Sequence, residues 1–313
     1  MTAPSAPTSH PKEGGGEVSA KVVMQLRAMT GLPMMKCKEA LEACKGDLEK
    51  AADWLRKKGL ETAAKKADRA MKEGRVALKV APDGASAAMV EVDCETEPVM
   101  GSAEFRHLVD SVLMDVYEHS KGRKGEVPVA EVLAWPHGGK GETVETAVKT
   151  LVARIGENMA LARAAAFSGA QRIGSYLHFN AKVGVLMDLG GDAAAVQGDV
   201  AKEFLGALGQ HIAFAKPASL SRDDVPKALV DKELEVYREQ AKQDPKMANK
   251  PAPVVEKILL GKLDKFFAEK CLLDQPWIHD DKISDKAALE AAAKKAGGAL
   301  KVVRFVFFKV GPA

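Results

Sequence analysis

The sequence predicts an α+β chain: a three-helix N-terminal module, then two related α+β subdomains with small, mainly antiparallel sheets, and a helical hairpin inserted in the second. Three observations carry this. Apolar residues recur at helical spacing up to Gly59; apolar/polar alternation broken by turn residues sets in at Arg75 and again at Arg172; and two mostly polar helical runs between 226 and 270 flank a proline-containing break. A length of 313 residues suits two or three compact units. With 46 Lys and Arg against 43 Asp and Glu, the formal charge of +3 is far from the dense positive field of a protein that holds phosphate backbones. No direct nucleic-acid partner is expected. Hydrophobic residues at 46% and charged ones at 28% exclude wholesale disorder. No apolar run approaches the roughly 18 residues of a spanning helix, so no membrane partner is expected either.

Residues 1–16, rich in Pro, Ser and Gly and lacking the apolar core of a secretion signal, read as a flexible tail. In the module, 17–59, Ser19 is placed to cap a helix carrying Val22, Val23, Leu26 and Met29, and Gly31 stops it. Pro33 opens a second helix with Met34, Cys37, Ala40, Leu41 and Cys44 inward, closed by Gly46. Asp47 caps a third, which buries Leu48, Ala51, Ala52 and Leu55 and ends at Gly59 behind the cations Arg56, Lys57 and Lys58. The polar, basic stretch 60–73 reads as a connecting helix.

In the first subdomain, 74–158, Arg75 to Val80 and Ala88 to Asp93 read as strands joined by the turn residues Pro82-Asp83-Gly84. Ser102 can cap the next helix, whose stripe is Phe105, Leu108, Val109, Val112, Leu113 and Val116. A loop rich in Gly, Pro, Lys and His leads to a helix with Val144, Val148, Leu151, Val152 and Ile155. The second subdomain, 159–313, repeats the plan. Arg172 to Phe179 and Lys182 to Leu189 form a strand pair, and a helix bears Val196, Val200, Phe204, Leu208 and Ile212; the strand from Leu300 to Val310 closes the chain. The hairpin, at about 226–270, pairs Pro226 to Gln243 with Val254 to Lys270 across the break Asp244 to Pro253. Its expected seam sets Leu229, Leu234, Val236 and Tyr237 against Val255, Ile258, Leu259 and Leu263.

Motifs that carry covalent chemistry are scarce. Gly138-Gly139-Lys140-Gly141-Glu142-Thr143 partly resembles a phosphate cradle, but the GxxxxGK[ST] spacing is missing. Cys37, Cys44, Cys94 and Cys271 are scattered, which fits unpaired thiols in a reducing, cytoplasmic compartment. His107, His119, His137 and His211 have no evident carboxylate or thiol partner in sequence. No catalytic residue, cofactor or metal ligand is assigned, and a non-enzymatic, partner-clamping protein is the expectation.

The string MTGLPMMKCKEALEACKGDLEKAADWL, Met29 to Leu55, resembles a ubiquitin-associated three-helix domain, in which the loop after helix one, here Thr30 to Pro33, and the third helix commonly dock on partners. Met35 is the contact candidate beside the alternative that Met34 and Met35 fill core gaps. More broadly, Leu26-Arg27-Ala28-Met29-Thr30-Gly31, Met34 to Leu41, Gly46-Asp47, Val92-Asp93-Cys94-Glu95-Thr96, Ile155-Gly156-Glu157-Asn158, Gly174-Ser175-Tyr176-Leu177-His178, Ala215-Lys216-Pro217 and Gln275-Pro276-Trp277-Ile278 stand in an order that resembles the bacterial elongation factor Ts family. The likeness runs from about Val18 to the end.

That resemblance implies a guanine-nucleotide exchange factor for elongation factor Tu, the GTPase that delivers aminoacyl-tRNA to the ribosome. It implies that the module and first subdomain grip the GTPase's nucleotide domain and that the second subdomain holds a distant domain. Met35 and Lys38 then match positions toward the nucleotide domain, and Lys66 matches a further contact with the GTPase; Ile155 and Gly156 match a contact at a helix end; His178 matches a contact to the far domain, and Ile278 an apolar contact, beside the alternative that it is a buried sheet residue. The family's central motif is Thr-Asp-Phe-Val, whose Asp and Phe wedge beside the Mg²⁺ and phosphate region. Here it reads Thr96-Glu97-Pro98-Val99, with the carboxylate one methylene longer and the aromatic gone. Proline biases Glu97 toward an extended backbone, so a stiffer, shallower loop is expected. The competing readings are a ubiquitin-associated adaptor without exchange activity, and a hydrolase whose titratable cluster only the fold assembles.

Overall fold

The computed structural model describes residues 18–311 except 120, 140, 245, 246, 248 and 249, so the expected tail, 1–16, lies outside the described residues. Two compact units result: the residues up to Ala70 with Glu145–Met159, and Met71–Val144 with those from Ala160 on.

In the first unit, helix α1 (Ala20–Thr30) begins where Ser19 Oγ accepts the Val22 N–H at 3.4 Å and ends at Gly31, φ +68°. α2 (Met34–Ala43) follows Pro33, and Asp47 caps α3 (Leu48–Ala64) by accepting the Lys50 N–H at 3.0 Å. Val23, Leu26, Leu32, Cys37, Ala40, Leu41, Ala51 and Leu55 form the core. Met34, expected inward, is 45% exposed, because Leu32 from the preceding loop packs into that core instead. Gly59 does not end α3. A Cβ there would stand 3.0 Å from Ala153 Cβ on the helix Val144–Ile155 (α7 in chain order), so the glycine serves close helix approach in mid-helix. Nor is 60–73 a connecting helix: α3 continues to Ala64 and turns follow. Asn158 Nδ2 donates to the carbonyls of Ala67 (3.2 Å) and Arg69 (2.9 Å), occupying acceptors that a continuing helix would use itself.

The second unit stacks two sheets between helices. β1 (Glu73–Val80) and β2 (Ser86–Cys94) pair antiparallel with Val76 opposite Glu91, and the turn closes on Gly84, φ +70°, with Asp83 Oδ1 accepting the Ala85 N–H at 2.9 Å. A short helix α4 (Glu97–Gly101) precedes α5 (Ala103–Glu118), capped by Ser102, whose predicted stripe packs on β1 and β2. β3 (Lys124–Val127) and α6 (Val129–Leu133) lead, beyond α7, to β4 (Met159–Ser168), and the sheet order is β1-β2-β4-β3. β4 was not foreseen: buried over much of its length and rich in alanine, it shows no alternation. A subdomain boundary at 158/159 separates it from its own sheet, so the boundary is corrected.

The other sheet is β5 (Arg172–Leu177), β6 (Val183–Gly191) and β9 (Leu300–Lys309), all antiparallel, which settles the closing strand beside β6 with Leu186 opposite Val306. The helix after β6 is two, α8 (Ala193–Gln197) and α9 (Asp199–Ala215), split at Gly198. Between β9 and α9 in sequence lie the hairpin helices α10 (Lys227–Gln243) and α11 (Ala252–Lys270), the small strands β7 (Pro276–Trp277) and β8 (Asp280–Ser284), and an unforeseen α12 (Asp285–Ala296). Met89, Phe167, Ile173, Leu186 and Phe308 fill the layer between the sheets. Val185, Met187 and Leu189 turn outward onto Phe204, Leu208, Ile212 and Leu289 of α9 and α12. Part of the hairpin break, Asp244 to Pro253, lies outside the described residues. The seam runs through Val230, Leu234, Leu263, Phe266 and Phe267, which turns Leu229 (47% exposed) and Val236 (41%) to water and corrects the expected seam at those two positions.

Candidate partner-docking surfaces

In the first unit, Met35 stands on the first turn of α2 and is 74% exposed, which removes the core-gap alternative. Lys38 lies one turn further along the same face, its side chain half in water and 3.7 Å from Glu42, an exposed pair of little worth to stability. Lys66 and Gly156, 90 residues apart in sequence, come together: Lys66 Nζ donates to the Gly156 carbonyl. Gly156 closes α7, its N–H donating to Val152 O at 2.9 Å, with φ +92°. Ile155 beside it is half-buried.

In the second unit, β2 delivers the chain to Thr96, extended at φ −135°, whose carbonyl accepts from Cys94 Sγ (3.4 Å) and Met100 N–H (3.1 Å). Glu97 and Pro98 are exposed on the first turn of α4, and Val99 beneath them is 8% exposed. The expectation of an extended backbone at Glu97 is therefore corrected. The segment is a short helix, in which proline is tolerated at the first turn and buried Val99 holds the turn down. Val99 anchors and does not present itself.

Upstream on β2, Glu91 and Asp93 share a face. Burial pushes the Glu91 carboxyl up to about 7 against the pull of Arg163, whose Nε donates to Glu91 Oε2 at 2.7 Å, and the neighbouring Asp93 carboxylate adds to the rise. Burial likewise pushes Asp93 up to about 6, again opposed by Arg163.

His178 sits in the β5–β6 turn, half-buried, with Nδ1 2.8 Å from Tyr176 Oη. Ile278, 37% exposed between β7 and β8, donates its N–H to His211 Nδ1 at 3.3 Å. His211 does have a carboxylate partner: its Nε2 lies 2.8 Å from Asp285 Oδ2 and 3.0 Å from Gln275 Oε1, with both His211 and Asp285 buried. Burial pushes the Asp285 carboxyl up, and His211 pulls it back. His137 also has one, Asp115, at 2.6 Å. Both pairs join residues 22 or more positions apart, so spacing gave no signal for them. Sealed at 0% and 1% side-chain exposure, His211 and Asp285 position Ile278 and reach no substrate. The four cysteines form no disulfide. Among the described residues no His, Cys, Asp and Glu cluster could hold a metal ion, and no helix is long and apolar enough to cross a membrane.

Two family models match the chain: one described as UBA/TS-N domain over residues 18–55, the other as Elongation factor TS over 95–312. The Elongation factor Ts of Nitratidesulfovibrio vulgaris (strain DP4) is 39% identical over 297 residues, covering 94% of this chain and 96% of that relative. The one from Aquifex aeolicus (strain VF5) is 36% identical over 295 residues, covering 94% and 98%. An adaptor built on the N-terminal module leaves the longer of the two matches without a purpose. Matched over nearly its whole length, the chain belongs to the elongation factor Ts family.

Proposed function

We propose that the chain drives GDP and Mg²⁺ out of elongation factor Tu and holds the emptied GTPase until GTP binds. Membership of the family makes it a nucleotide-exchange factor of translation elongation. The partner's identity, the contact residues and the order of events belong to the proposal. No covalent bond is made or broken. A protein that binds the empty GTPase more tightly than the GDP-loaded one must weaken GDP by the same factor, because the two affinities share one thermodynamic cycle. Met35 and Lys38, with the Lys66-tied helix end at Ile155 and Gly156, would dock on the nucleotide domain, and His178 and Ile278 on a distant one. Thr96 to Pro98 would press toward the phosphate and Mg²⁺ region, to which Glu97 would present a negative carboxylate, the kind of oxygen group a hard cation favours.

The observation that carries this reading is the α4 turn: Glu97 and Pro98 stand in water inside the matched region while Val99 pins the turn from below. The test is stopped-flow release of labelled GDP from the cognate GTPase. Glu97→Ala and Pro98→Ala should each lower the acceleration, by about tenfold for a barrier change of roughly 1.4 kcal/mol. Unchanged release in both rejects the turn's role.

A further inference from the structure

Two phenylalanines that the sequence reading did not single out as contacts stand in water in the second unit: Phe179 is 92% exposed and Phe214 77%. They lie at the same end of the α9 layer. Leu205 packs over Gly174, where a Cβ would come within 2.7 Å of it, and Gly209 packs over Tyr176, where a Cβ would come within 2.6 Å of the tyrosine Cβ. Four helical residues advance about 6.0 Å and two strand residues about 6.8 Å, so helix and strand march together. One step further, the last turn of α9, which carries Phe214, and the chain leaving β5 at His178 and Phe179 fall at the same end of the pair. Ile278 is tied to this end too, through its bond to His211 one turn earlier on α9.

The surface is held before any partner arrives. His178 N–H donates to Val183 O at 2.9 Å, and the turn closes through Ala181 at φ +54°. The Phe179 ring centroid lies 4.4 Å from that of His178, whose Nδ1 is engaged by Tyr176. Lys216 ends α9 in the left-handed conformation just after Phe214. Pre-set aromatic groups lose little freedom on binding, and aromatic residues dominate the few positions that carry interface affinity.

We propose that Phe179 and Phe214 are partner-binding residues that extend the His178 and Ile278 surface into an aromatic hot spot for the GTPase's distant domain; this rests on the proposed function. The occupant follows from continuity with His178 and Ile278. Two exposed phenylalanine rings call for an apolar matching patch on the GTPase. The experiment uses the full chain, with Phe179→Ala, Phe214→Ala and the double variant. It measures the dissociation constant for nucleotide-free GTPase, GDP release, and self-association by sedimentation. The double variant should bind about tenfold or more weakly, chiefly through faster dissociation, with its melting temperature unchanged because both rings already face water. Wild-type exchange together with wild-type affinity in the double variant overturns the inference and leaves the proposed function standing. Loss of a dimer at unchanged GTPase affinity also overturns it, assigning the surface to a second copy of this chain. A wild-type chain that fails to speed GDP release rejects the proposed function and takes this inference with it.

Discussion

At Gly156 the backbone stands at φ +92°, and an added Cβ would meet only Lys66 Nζ at 3.6 Å, an ordinary contact. The requirement for glycine is therefore conformational and not a matter of space. Gly156→Ala should cost about 1–2 kcal/mol and lower the urea midpoint; an unchanged midpoint would show that this helix end is free to readjust. The family resemblance placed Gly156 at a helix end, whereas its tie to Lys66 joins positions that no local pattern relates. Val99 gives the converse lesson. Quoted with its exposed neighbours from one motif, it turns out to be their support, since burial is decided by what packs beneath a turn.

For whole elements, periodicity placed α1, α2, α5, α10 and α11 closely because each has one wet and one dry face. It missed β4, where packing on both faces leaves no alternation to read, and it stopped α3 at a glycine that proved to lie mid-helix. Gly59→Val tests that second point. Branched bulk placed 3.0 Å from Ala153 should overpack the α3 and α7 contact and destabilise by about 1–3 kcal/mol, read as a fall in melting temperature. A neutral result would mean that the two helices part without cost. In α4 the proline rule misled because it weighs Glu97 alone, while the anchored Val99 decides the backbone of the whole turn.

Over the molecule as a whole, one buried carboxyl is held from strands far apart in sequence: half-exposed Arg163 on β4 reaches buried Glu91 on β2 and the Lys309 carbonyl on β9. Burial raises the folded-state pKa of Glu91 from 4.5 to about 7 and that of Asp93 from 3.8 to about 6. The folded chain therefore holds protons that the unfolded chain has released, so these groups' contribution is complete below about pH 4 and is lost as the pH rises through 6 and 7. Urea midpoints of wild type should fall between pH 5 and pH 8 by more than those of Glu91→Gln, which cannot ionise there. Equal falls would remove Glu91 from the account. The candidate site was legible in the same uneven way. His178 and Ile278 could be named from motifs, but His211 and Asp285, which hold Ile278, and the two exposed phenylalanines needed the packing of α9 against β5.

By itself the sequence determined the order of modules, the caps and turns, the lack of a local catalytic motif and the family likeness, because each depends on residues within a turn or two of one another or on ordered motifs. The tertiary structure alone decided which sheet received β4 and β9, which carboxyl groups burial pushes up, and which side chains stand beside His178. Those outcomes depend on burial and on contacts between residues far apart along the chain, and chain spacing does not encode distance in space.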